Sequence, residues 1–214
     1  MTVIQKTSNL PLRIGITGGI SSGKSYICKQ LQNAGFAIFY CDDVAKNIIR
    51  THPIVKQQLS HLVGKDLYNE HGALVKKVLA TYLCKGTDHS HKVDAIVHPQ
   101  VAEAFKTFCW QKVLNATSHA HPLCFSTENK QITLASLLTL PKESTVFMEC
   151  ALLFESGFDK LVDHKVLVHV SHKTQVERLM NRDHITHEQA LKWINLQLSE
   201  DEKMQRADAY ILNE

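Results

Sequence analysis

Five short stretches are apolar on consecutive residues, rich in β-branched or aromatic side chains, and bounded by polar ones. They are LRIGIT (12–17), FAIFY (36–40), TVFMEC (145–150), KVLVHV (165–170) and AYIL (209–212). Continuous rather than alternating runs predict strands covered on both faces, as in a parallel sheet. Between them the spacing becomes helical. Residues 24–34 set Ile27 and Leu31 four apart and stop at Gly35, a residue suited to ending a helix. Residues 186–198 open on Thr186 and Gln189 at capping-box spacing, then place Ala190, Trp193, Ile194 and Gln197 along one face. Alternation of strands and helices predicts an α/β fold on a parallel sheet.

The alternation is interrupted once. After the second strand, residues 43–114 carry mostly helical pattern, too long a stretch for a simple crossover. They predict an inserted helical subdomain at the carboxyl edge of the sheet, where open α/β sheets bind ligands. Residues 115–143 mix composition, hold two prolines and lack a period, so they read as a loop-rich insertion. There is no internal repeat and no low-complexity tract.

Composition narrows the class. The 214 residues are 44% hydrophobic and 21% charged, as expected of a globular protein with a real core. The net charge of +3 is too mild to predict a nucleic-acid partner. The six cysteines, at 28, 41, 84, 109, 124 and 150, form no C-x-x-C pair. They read as reduced, buried thiols of a cytoplasmic protein. The opening MTVIQKTSNLPLRIGITGG has no apolar block long enough for a signal peptide or a membrane span, so no membrane partner is expected. The histidine-rich HSH (His89, His91) and HAH (His119, His121) lack carboxylate or Cys partners at ligand spacing and predict no metal site.

The chemistry begins with GITGGISSGKS (15–25), where Gly18, Gly23, Lys24 and Ser25 fit the pattern G-x-x-x-x-G-K-S between a strand and a helix. In a loop of this kind backbone N–H groups and a helix N-terminus face the phosphates of a nucleoside triphosphate. Gly18, Gly19, Ser21, Ser22, Gly23, Lys24, Ser25 and Tyr26 are the candidate ATP contacts, with Lys24 on the β- and γ-phosphates and Ser25 on Mg2+. The only Asn-Lys, Asn129-Lys130-Gln131-Ile132, is not the N-K-x-D of a GTPase, and the third strand ends at Glu149 where a motor ATPase would carry Asp. A small-molecule kinase asks for less: a carboxylate, a cationic lid and an acceptor pocket.

FYCDDVAK (39–46) offers Asp42 and Asp43 at the end of the second strand. That end is expected to adjoin the end of the first strand. A carboxylate there could accept the proton of an attacking hydroxyl or order Mg2+ through water. One of the pair could instead cap the helix over 44–50, and spacing does not say which. HKTQVERLMNRDHITHEQ (172–189) follows the fourth strand and sets Arg178 and Arg182 at i,i+4, where both guanidiniums could reach one site. Arginines on a mobile segment can close over ATP and exclude water.

In this order the segments resemble the dephospho-CoA kinase family across nearly the whole chain. GITGGISSGKS is similar to the family's opening and YCDDVAK to its Asp-x-Asp-x-x-Ala segment, with Asp42 on the catalytic position. GALVKKVL (72–79), IVHPQV (96–101), ALLFESG (151–157), TQVERLMNRD (174–183) and LQLSEDEKMQRADAYILN (196–213) resemble the family's later segments in turn. The resemblance implies a P-loop NTPase-type parallel sheet flanked by helices, with an inserted helical substrate-binding subdomain and a lid. The core sheet would take residues 11–42, 144–170 and 205–214, the acceptor subdomain 43–114, the insertion 115–143 and the lid 171–187.

It implies ATP-dependent phosphorylation of the ribose 3′-hydroxyl of dephospho-CoA with Mg2+, the last step of coenzyme A synthesis. Asp42, Lys24 and Arg182 would be catalytic, and Asp42, Lys76, His98 and Pro99 would meet the acceptor. The chain departs from the family pattern at four positions: Ser21 for Gly, Tyr40 for the first Asp, Lys76 for Arg and Ala151 for Pro. The rival readings are a nucleoside or nucleoside monophosphate kinase and a non-catalytic nucleotide-binding regulator.

Overall fold

The computed structural model describes residues 10–113 and 130–214. The chain divides into two compact units, Met1–Phe39 with Phe108–Glu214, and Tyr40–Thr107. Histidines 119 and 121, Cys124 and most of the insertion expected over 115–143 lie outside the described residues.

The first unit is built on one sheet. Its strands are β1 (Leu12–Thr17), β2 (Ala37–Tyr40), β3 (Gln131–Ile132), β4 (Thr145–Glu149), β5 (His164–His169) and β6 (Ala209–Leu212), in the spatial order β2-β4-β1-β5-β6-β3. Registers run parallel, with Ile16 opposite Glu149 and Val166 and with Leu167 opposite Tyr210. The central strands carry side chains buried on both faces, among them Ile14, Ile16, Phe147, Met148, Val166 and Leu167. That is why their sequences are apolar without alternation.

Two expectations change here. β4 lies between β1 and β2, so the end of β2 does not adjoin the end of β1. Residues 130–143, read as loop, supply the edge strand β3 and the helix α6 (Leu134–Leu138). In α6 Thr133 and Ser136 form a reciprocal capping box.

The remaining helices of this unit are α1 (Lys24–Asn33), α7 (His172–Asp183), α8 (His187–Ile194) and α9 (Glu200–Arg206). α1 buries Ile27, Cys28 and Leu31 and ends before Gly35, at φ 97. α8 is capped by Thr186, whose side chain accepts from the Gln189 N–H, and stops at Ile194. Gln197 therefore lies beyond the helix rather than on its face.

The second unit contains α2 (Cys41–Thr51), α3 (Pro53–Val63), α4 (Lys76–Leu83) and most of α5 (Thr87–Val113). Pro99 sits inside α5, not at a helix start. A stripe of Val93, Val97, Val101, Phe105 and Cys109 is buried along α5 at intervals of four. Packing of that face offsets the one backbone hydrogen bond that proline removes.

Candidate active site

Between β1 and α1 the chain turns through Gly18–Gly23, with positive φ at Gly18 (153°), Ser21 (61°) and Gly23 (91°). A side chain at Gly18 would stand 2.5 Å from the Val168 carbonyl oxygen, and one at Gly23 would strike Asn213 Nδ2. Gly23 is the N-cap of α1, and no side chain caps that helix. A helix N-terminus of this kind favours an anion. Lys24, 8% exposed, folds over the loop and donates from Nζ to the carbonyl oxygens of Gly18 (2.9 Å) and Gly19 (3.3 Å). Ser25 and Tyr26 are exposed on the first turn of α1. The hydroxyls of Ser21 and Ser22 are buried without a hydrogen-bond partner among the described residues.

Side chains distant in sequence grip the loop. Asn213, just past β6, donates from Nδ2 to the Ser22 carbonyl oxygen at 2.8 Å. Its own carbonyl oxygen accepts from Arg178 Nη1 at 2.8 Å. Gln175 and Gln197 bond to the backbone of Ile20. The start of α7 is held by Glu214, whose carboxylate accepts from Ser171 N–H (2.6 Å) and from Thr174 Oγ1 (2.8 Å). These bonds hold the Glu214 carboxyl below its ordinary range, the Thr174 hydroxyl contributing most.

Arg178 and Arg182 do not converge. Arg182 is exposed and forked onto Asp183, Nε to Oδ1 at 2.9 Å and Nη2 to Oδ2 at 2.7 Å. That pairing lowers the Asp183 carboxyl and raises the guanidinium.

A second carboxylate belongs to the same unit as the loop. Glu149 closes β4 and is 8% exposed. Its charge and that of Lys24 are both felt at Cys28 of α1. Burial pushes the Cys28 thiol far up, Glu149 pushes it further and Lys24 opposes. Beside Gly19 a cavity of about 540 Å3 is lined by His169, Gln175, Gln197, Glu200 and Lys203, among others. His169 Nδ1 and Glu200 Oε1 are 2.9 Å apart. Burial pulls the Lys203 ammonium down, with Glu200 and Glu155 opposing.

In the second unit, α2 takes Tyr40 as its N-cap without a side-chain cap bond. Neither Asp42 nor Asp43 is the cap, as one of them was expected to be; both lie in the first turn. There the helix dipole favours their charge. Asp43 pairs with Lys46 at 3.4 Å, and Asp42 is exposed. Lys76 is exposed at the start of α4. On α5 His98 is half-buried, with Nε2 3.5 Å from Asp94 Oδ1, and Pro99 is exposed.

Comparison with known proteins assigns the family. The family model described as dephospho-CoA kinase matches residues 12–133 and 110–214. The chain belongs to the dephospho-CoA kinase family. A dephospho-CoA kinase of Bacteroides fragilis is 33% identical over 205 residues, covering 96% of this chain and 86% of its own. One of Fusobacterium nucleatum is 28% identical over 200 residues, covering 94% and 88%.

Two solved structures share the fold. A Thermus thermophilus protein matches at TM-score 0.68 and 24% identity, covering 95% of this chain and 89% of its own. A dephospho-CoA kinase of Campylobacter jejuni matches at TM-score 0.60 and 19% identity, covering 94% and 87%.

Sequence reasoning passes over Gln175, Gln197 and Glu200 as chemistry and weighs Glu149 only as a strand end unlike the Asp of a motor ATPase. The signal for two of them was present. Gln175 sits beside Val176 on the buried side of α7, and Glu149 ends an apolar strand. Polar side chains at such positions are retained only where they find partners.

Proposed function

We infer that the chain transfers the γ-phosphoryl group of ATP to the ribose 3′-hydroxyl of dephospho-CoA, giving coenzyme A and ADP. The observation that carries this reading is a built phosphate loop, with Lys24 and an uncapped α1, in a chain matched along its length by one kinase family.

In this reading Gly18, Gly19, Ser21, Ser22, Gly23, Lys24, Ser25, Tyr26 and Arg178 hold ATP. Lys24 exchanges the Gly18 and Gly19 carbonyls for phosphate oxygens, and Arg182 exchanges Asp183 for the transferring group. Asp42 accepts the proton of the 3′-hydroxyl as the new O–P bond forms and the bond to the β-phosphate oxygen breaks. Lys76, His98 and Pro99 contact the acceptor, Lys76 as a point charge without the two-pronged geometry of an arginine. The Ser25 hydroxyl and the Glu149 carboxylate are hard oxygen donors of the kind Mg2+ accepts. Held there, Mg2+ would supply charge neutralisation for the phosphates. The substrates are small and charged, and no described helix is long and apolar enough to cross a membrane. We place the reaction in the cytoplasm, with neither nucleic acid nor membrane as partner.

An acceptor panel tests the assignment. ADP release is expected with dephospho-CoA and little with AMP, CMP or uridine. A nucleoside or nucleotide monophosphate that outperforms dephospho-CoA would overturn it. Asp42→Asn separates catalysis from a regulatory role: turnover should fall on the order of 10²-fold or more while ATP binding persists.

A further inference from the structure

Ile20, the third residue of the phosphate loop, has both its backbone groups engaged by side chains from outside the loop. Its N–H donates to Gln197 Oε1 at 2.8 Å, and its carbonyl oxygen accepts from Gln175 Nε2 at 2.9 Å. Gln175 is 5% exposed, so its amide has little access to water as an alternative partner. The roles are fixed by the backbone: an N–H can meet only an acceptor and a carbonyl only a donor.

The consequence follows from peptide geometry. In a trans peptide the carbonyl of one residue and the N–H of the next lie in one plane and point opposite ways. No described peptide bond is cis. Holding the Ile20 carbonyl on Gln175 therefore turns the Ser21 N–H to the other side of the loop. Asn213 does the same two peptide planes later, since its bond to the Ser22 carbonyl turns the Gly23 N–H away from it. Gln197 fixes the preceding plane, between Gly19 and Ile20.

Such control is needed here because positive φ at Gly18, Ser21 and Gly23 gives the loop a path that regular secondary structure does not hold. A phosphate cradle works only while successive N–H groups face one centre. Gln175 also lies on α7, three residues before Arg178, so the same bond registers the arginine-bearing helix to the loop.

We propose that Gln175 and Gln197 are positioning residues: they clamp the two peptide planes flanking Ile20, aim the loop N–H groups at the ATP phosphates, and lock α7 in register with the loop. The proposal rests on reading the loop as an ATP cradle.

The test uses the full chain and two pairs of variants, Gln175→Glu with Gln197→Glu, and Gln175→Leu with Gln197→Leu. A carboxylate can still accept from the Ile20 N–H but cannot donate to its carbonyl. Both glutamate variants add one negative charge beside the loop, and the leucine pair, which adds none, separates the lost bond from the cost of burying that charge at position 175. The KM for ATP of Gln175→Glu should exceed that of Gln197→Glu by about tenfold, the equivalent of one lost hydrogen bond. Each leucine variant should raise the KM for ATP about tenfold and leave the KM for dephospho-CoA within about twofold. Calorimetric Kd values for MgATP carry the same comparison whichever acceptor the parent uses. An error in the acceptor thus appears in the parent's turnover, and an error in the clamp in the variants' ATP affinity. Equal ATP affinity in the two glutamate variants, or leucine variants that shift only the melting temperature, would overturn the clamp.

Discussion

At Ser21 the loop's path and its residue disagree. The position is at φ 61, in the left-handed region that suits glycine, and its hydroxyl is buried without a partner among the described residues. For a non-glycine residue that backbone costs about 1–2 kcal/mol, while glycine gives back about 0.5–1 kcal/mol through its freer unfolded chain. The balance favours glycine once the stranded hydroxyl is counted. Ser21→Gly should raise the unfolding free energy by about 1 kcal/mol, a melting shift of about 2–4 °C. Urea unfolding at constant m-value measures it, and a lower midpoint would mean that the hydroxyl has a partner in solution. Ser21 was legible in the sequence as the irregular residue of a regular motif. The bond from Gln175 to Ile20 was not, because a glutamine among helix residues announces no partner until the fold brings one to it.

Helix ends supply the next level of control. α9 is only Glu200–Arg206, and its N-terminus is held by a reciprocal box: Ser199 accepts from the Glu202 N–H, and the Glu202 carboxylate accepts from the Ser199 N–H at 3.2 Å and its hydroxyl at 2.7 Å. The Ser199 hydroxyl and then its N–H hold the Glu202 carboxyl below the ordinary glutamate range. A folded-state value below the unfolded one contributes stability that is present above the ordinary value and lost as pH falls through the lowered one. Glu202→Ala should therefore lower the melting temperature at pH 7, and the gap to the parent should narrow as acid protonates the parent's carboxylate. A gap that stays constant down to pH 3 would assign the effect to packing.

Elements with strong local signals were readable: the buried strands, the stop of α1 at Gly35 and the Thr186 cap. The misreadings share one cause. β4 enters between β1 and β2, and β3 is a two-residue strand completed by pairing with β6. Each was decided by partners distant in sequence, which local pattern does not encode.

Over the whole molecule the candidate contacts divide by unit. Gly18–Tyr26, Arg178 and Arg182 all belong to Met1–Phe39 with Phe108–Glu214, while Lys76, His98 and Pro99 all belong to Tyr40–Thr107. A ligand that binds only the folded chain stabilises it by RT ln(1 + L/Kd), where L is the free ligand concentration. MgATP at 100 times its Kd should add about 2.7 kcal/mol, a melting shift of about 5–10 °C for a chain of this size. Lys24→Ala should abolish most of that shift, and chelating Mg2+ should reduce it in the parent. If ATP and acceptor are held by different units, the shift produced by dephospho-CoA alone should survive in Lys24→Ala. Lys76→Ala should show the converse, keeping the MgATP shift and losing much of the acceptor's. Thermal melts of the parent and both variants, each with either ligand alone, decide it. If one substitution removed both shifts, the two ligands would depend on a single set of residues, and the assignment of Lys76 to the acceptor would fail.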